Sequence, residues 1–191
     1  MATKLVRLML AFVLAGVAGC RATPQAEAPA LLANATIKDI MDSMIDPSAD
    51  FVFESVATIA DEKGVREIAP QTDEEWAEVR RRAVQLLEAP NLLVMEGRAV
   101  ARPGDKAAVA GIELEPAQIQ ALIDGDRAAF ISHARALQDA ATVALRAIDA
   151  HDKQALFESA DTIDQACEGC HLKYWYPNDQ KAQEAFKQNA K

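Results

Sequence analysis

Residues 152–177 read DKQALFESADTIDQACEGCHLKYWYP, and the placing of their apolar side chains decides the fold. Leu156, Ala160, Ile163, Cys167 and Cys170 recur at steps of three and four, the spacing of one face of an α-helix. Asp152 stands where a helix N-cap belongs, and Pro177 stands where a helix must stop. A helix of about 20 residues is therefore expected here, amphipathic and in need of partners.

Working outward, the partners are legible by the same spacing. Residues 127–149 align Phe130, Ala134, Leu137, Ala141, Ala144 and Ile148 on a narrow stripe. Thr72 and Glu75 form a capping box that opens a helix through Trp76, Val79, Ala83, Leu87 and Val94, which Pro90 should bend or shorten. The first stretch, about 36–60, carries Ile37, Met41, Met44, Phe51, Val52 and Ile59 on one face. There Pro47 either kinks one helix or restarts it with Asp46 as cap. Residues 97–115 read as a long loop, followed by a short helical turn after Pro116 and a break at Asp124-Gly125. Alternating β-branched runs are few. The expectation is an all-α, antiparallel four-helix bundle over residues 36–177, with 178–191 a C-terminal tail.

The N-terminal end belongs to something else. Lys4 and Arg7 precede the apolar run Leu8 to Ala18, which has the layout of an export signal and is too short to span a bilayer. Val17-Ala18-Gly19-Cys20 resembles the bacterial lipobox, which implies that residues 1–19 are removed and that Cys20 is lipidated. Several acyl chains on one residue would hold the protein stably on a membrane. Arg21 after the cysteine, by resemblance to sorted lipoproteins, favours the periplasmic face of the outer membrane over the inner. Residues 20–35 are alanine-rich with two prolines and no apolar period, the composition of a tether. The formal charge of −9 becomes −11 once Lys4 and Arg7 leave with residues 1–19, so nucleic acid is not an expected partner. Residues 167–191 run against this trend, with four lysines against three acidic side chains.

Cys167-Glu168-Gly169-Cys170-His171 is the C-x-x-C-H pattern of c-type haem attachment. On a helix, residues at i, i+3 and i+4 lie within about 100° of one another, so both thiols and the imidazole face the same way. The sulfurs can then add to the haem vinyl groups while His171 reaches the iron. Competing readings fit less well. Zinc needs about four ligands and would have to recruit His133 or His151. A thiol–disulfide enzyme places C-x-x-C at the start of a helix after a strand. A short structural disulfide leaves His171 without a reason.

A four-helix chain with this motif in its last helix resembles the class II c-type cytochromes, meaning cytochrome c-prime and its low-spin relatives. The resemblance covers about residues 36–177; its specific part is the motif with its C-terminal placement, and the rest is architecture. It departs from the family in its lipid-type signal and in the aromatic segment Leu172-Lys173-Tyr174-Trp175-Tyr176-Pro177. It implies one covalent haem c. In low-spin members of the family a methionine early in the first helix ligates the iron, and Ile37-Lys38-Asp39-Ile40-Met41 falls at a comparable place, which makes Met41 the candidate sixth ligand and Met44, one turn on, the second choice. The resemblance also implies a homodimer through the first two helices.

Thioether ligation would commit the protein to single-electron transfer with redox partner proteins, whereas an open site would bind nitric oxide or carbon monoxide. His133, at the edge of its helix stripe, is a rival ligand. His151 is expected at a solvent-facing helix end. Trp76, Tyr174 and Trp175 are core or haem-edge aromatics, and Lys38 is a weak candidate for a haem propionate. No phosphate loop, nucleophile elbow or paired helical histidines point to hydrolysis or group transfer, and the chain is not expected to be an enzyme.

Overall fold

The computed structural model describes residues 31–189. The fold is mostly helical and carries one small sheet. Helix α1 (Ile37–Ile40) opens on a capping box between Thr36 and Asp39, passes through a π-helical turn (Met41–Ile45), and continues without a break as α2 (Asp46–Glu54). The π turn answers the Pro47 question. A proline ring clashes with the carbonyl four residues back, here that of Ser43, and a widened turn just ahead of it relieves the clash while the Asp46 N–H donates to the Met41 carbonyl. Asp46 is thus a residue inside a continuous helix and not the cap of a new one.

The first helix also ends earlier than its apolar spacing suggests. Strands β1 (Ala57–Asp61) and β2 (Gly64–Ile68) form an antiparallel hairpin with Ala57 opposite Ile68 and Asp61 opposite Gly64, and Ile59 lies in this hairpin. Gly64 has φ +114°, a value that side-chain-bearing residues rarely adopt. Helix α3 (Asp73–Leu93) begins at the predicted Thr72–Glu75 box and ends three residues after Pro90. The turn predicted after Pro116 is a ten-residue helix, α4 (Pro116–Gly125). Helices α5 (Arg127–Asp149) and α6 (Lys153–Tyr174) are capped by Asp126 and Asp152, whose side chains accept from the Ala129 and Ala155 N–H groups. Within the stretch read as a tail, Gln180–Asn189 form helix α7, laid back on α6.

Segment 37–54 packs on α3 and on α6, α3 packs on α5, and α5 packs on α6. Alanines make the α3–α5 approach close: Ala83, Ala89, Ala140, Ala141 and Ala144 are all buried. Larger side chains fill the rest of the core, among them Ile45, Leu86, Phe130, Ile148, Leu156 and Ile163, each contributing about 1.5–3 kcal/mol by leaving water. Among the described residues no helix is long and apolar enough to cross a membrane.

The connection between α3 and α4 is long but tied down. The Ala99 and Val100 carbonyls accept from the Ile37 and Lys38 N–H groups at 2.9 Å, which satisfies two of the donors that the start of a helix leaves open. The Leu114 N–H donates to the Trp175 carbonyl at 2.7 Å, fixing the far end of the loop to the end of α6.

Candidate functional site

Helix α6 delivers Cys167, Cys170 and His171 to one place, as the i, i+3, i+4 spacing requires. Two neighbouring cavities meet there. The inner one, about 30 Å³, is lined by both cysteines and by apolar side chains that include Ile37, Leu93, Phe130 and Leu137. The outer one, about 200 Å³, is walled by the α3–α4 loop and carries Lys38, Asp42, Asp46, Lys106 and Glu113. Met41, His171 and Trp175 border both cavities. Met44 borders neither and packs against the core.

The electrostatics suit neutral donors. Cys167 and Cys170 are free thiols, and burial pushes each up to about 12, so both are protonated at neutral pH. A thiol–disulfide enzyme needs a depressed thiol, and this site provides the reverse. Burial lowers the His171 pKa against the opposing pull of Asp46, Glu168 and Glu113, which leaves a neutral imidazole with a free lone pair. His133 lines the inner cavity with its pKa lowered by burial and by Lys173. Its ring stands edge-on to Tyr174, with centroids 5.8 Å apart. Among the described residues no three His, Cys, Asp or Glu side chains converge as a bare metal ion would require, although His133 and the motif share a cavity.

The aromatic residues separate into two groups. Trp76 is stacked on His151 at 4.8 Å, beside the start of α6, and borders neither cavity. His151 is exposed in the turn before α6, as expected, with φ +52°. Tyr174 is fully buried against Phe130, and its hydroxyl has no hydrogen-bond partner among the described residues. Trp175 and Tyr176 each lie 5.8 Å from the His171 ring, and the Tyr176 hydroxyl donates to Glu168 at 2.6 Å. Lys38 borders the outer cavity but is ion-paired with Asp42 at 2.6 Å.

Helix α7 covers the motif from outside. A Cβ on Gly169 would stand 3.4 Å from the Phe186 ring, and the Gln183 amide donates to the Leu172 carbonyl at 3.2 Å. Sequence reasoning missed this cover, the loop wall and Asp46, because each depends on segments distant in the chain or on an irregular turn. Cys20 lies outside the described residues. Comparison with protein-family models, with curated proteins and with solved structures found no match in any of the three.

Proposed function

We propose that this chain is an exported c-type haem protein that carries single electrons, with a four-helix-bundle architecture and a lipid anchor at Cys20. The observation that carries the reading is the joint position of Met41 and His171. They border the same two cavities from opposite elements, with both motif cysteines in the apolar inner one. Segment 37–54, α3, α5 and α6 contact one another in a closed cycle, which is the order that a four-helix bundle requires.

In this reading Cys167 and Cys170 hold haem c through thioethers, His171 is the axial ligand and Met41 the sixth ligand. The bound group supplies a reversible one-electron couple of iron. The chain's own residues do the rest. The neutral His171 imidazole offers its lone pair without first losing a proton, and the soft Met41 thioether favours the reduced state. Ile37, Leu93, Phe130 and Leu137 keep water from the inner cavity, and the loop from α3 to α4 closes the outer one. The periplasmic face of the outer membrane is the compartment that fits an export signal and lipobox, and a protein redox partner is the expected acceptor or donor.

The test is the visible spectrum of protein matured with haem-attachment machinery, in both redox states, with a Met41→Ala variant and a carbon monoxide challenge. Haem retained after denaturation, with a low-spin spectrum whose weak red methionine–iron band disappears in Met41→Ala, is the expected result. A chain that retains no haem on denaturation refutes the reading. A high-spin spectrum that shifts with carbon monoxide would instead assign gas binding, a role that the apolar lining of the inner cavity would also serve.

A further inference from the structure

Asp46 lies five positions after Met41, and in an α-helix that step would turn them about 140° apart. The π turn changes this. Its i to i+5 hydrogen bond, from the Asp46 N–H to the Met41 carbonyl, stacks the two residues on one side of the helix, and both border the outer cavity together with His171. An irregular turn at this position is therefore what presents a carboxylate beside the candidate iron ligand.

An imidazole that ligates a metal almost always donates its second ring N–H to a carboxylate, a carbonyl or water, which fixes the ring and its tautomer. Among the described residues neither ring nitrogen of His171 has a hydrogen-bond partner. Three carboxylates act on this imidazole: Asp46, Glu168 and Glu113. Two are already engaged. Glu168 accepts from the Tyr176 hydroxyl at 2.6 Å, and Glu113 accepts from the Ala108 and Val109 N–H groups at 2.8 and 3.2 Å. Asp46 has neither a hydrogen bond nor an ion pair from its carboxylate among the described residues. Its charge is also the foremost of the acidic influences on His171 and on Cys167.

We infer that Asp46 is the positioning residue for His171, the anionic acceptor that orients the imidazole and sets the reduction potential of the iron it holds. The inference rests on the haem reading above and deepens it. A fixed negative charge at the ligand stabilises the oxidised, more positive form, so removing it raises the potential. Loss of such an outer partner typically changes an affinity or activity by tenfold or more, and about tenfold in a one-electron equilibrium is about 59 mV.

The experiment compares haem-loaded, full-length wild type with Asp46→Asn, Asp46→Glu and Asp50→Asn by spectroelectrochemical titration at pH 7.5, with thermal melting of the haem-free chains alongside. Asp50 is exposed on the same helix and borders neither cavity, so it controls for the loss of one charge. The expected result is a reduction equilibrium shifted about tenfold toward the reduced form in Asp46→Asn, partial return in Asp46→Glu, and a shift of less than twofold in Asp50→Asn. Failure of Asp46→Asn to retain haem, with an unchanged haem-free melt, also supports the inference. A potential that moves no more in Asp46→Asn than in Asp50→Asn overturns it while leaving the haem reading standing, as does a haem-free Asp46→Asn chain that no longer folds. Wild type without covalent haem overturns both.

Discussion

Arg98 is 7% exposed and has no carboxylate partner among the described residues. Its guanidinium donates to the Leu92 carbonyl at 2.5 Å, to the Ala35 carbonyl and to the Met95 sulfur, so one side chain ties the end of α3 to the residue before the Thr36 cap. A buried charge survives only when its hydrogen bonds are met, and here carbonyl dipoles meet them. Arg98→Met should keep the packing volume but take a charged donor from both carbonyls, although that of Leu92 keeps the Met95 N–H at 3.3 Å, lowering stability by about 1.5–3 kcal/mol. Chemical denaturation should show this as a lower midpoint at unchanged slope. The same scale explains why the sequence ranked Met41 ahead of Met44 by resemblance alone and kept Met44 as the second choice. Both lie on one apolar helical face, and only the widened turn, with its consequences for what borders the cavities, separates them. If the proposed ligation holds, Met44→Leu should leave the methionine–iron band in place while Met41→Leu abolishes it, with the near-infrared-edge spectrum as the readout.

At the scale of elements, α6 was readable because every signal it needs lies within residues 152–177: a cap, a periodic apolar face, a stop and a five-residue motif. Helices α3 and α5 were readable for the same reason. The hairpin was not, since Ile59 fits the apolar period of the preceding helix and β2 is exposed throughout, leaving almost no buried pattern to detect. Helix α7 escaped because it buries no residue fully and is held by a few contacts with α6, among them Phe186 near Gly169 and the Gln183 amide on the Leu172 carbonyl. The Phe186 contact makes an expectation about α6. A Cβ at Gly169 meets Phe186 at 3.4 Å, within ordinary contact distance, so Gly169→Ala should stabilise the helix by about 0.5–1 kcal/mol through its lower chain entropy. Gly169→Leu should instead displace α7, and amide exchange over 180–189 would accelerate. If Gly169→Ala accelerates that exchange as strongly, the packing account of this glycine is wrong.

Over the whole molecule, acidity sets the response to pH. Asp39 is held below its ordinary value of 3.8 by the Thr36 backbone N–H and hydroxyl and by Arg102, and Glu75 below 4.5 by the Gln71 and Thr72 N–H groups. A carboxyl whose folded pKa is depressed stabilises the fold fully above its unfolded value and loses that contribution as pH falls through the lowered folded value. Both capping boxes should therefore hold above about pH 4.5 and fail progressively below it, releasing the starts of α1 and α3. A Thr36→Ala, Thr72→Ala double variant should melt lower at pH 7 and show a shallower decline in melting temperature between pH 5 and 3 than wild type. Equal declines in the two proteins would remove the capping boxes from the explanation.

The sequence by itself determined the helical class, the bounds of the three long helices and the grouping of Cys167, Cys170 and His171. These follow from interactions between residues three and four apart, which spacing records directly. Tertiary structure decided the rest. The π turn before Pro47, the loop that walls the outer cavity, the placing of Met41 rather than Met44, and the presence of Asp46 and His171 on one cavity all join segments 60 to 130 residues apart or hang on one irregular turn. No local period encodes such contacts, because they exist only once the helices have packed.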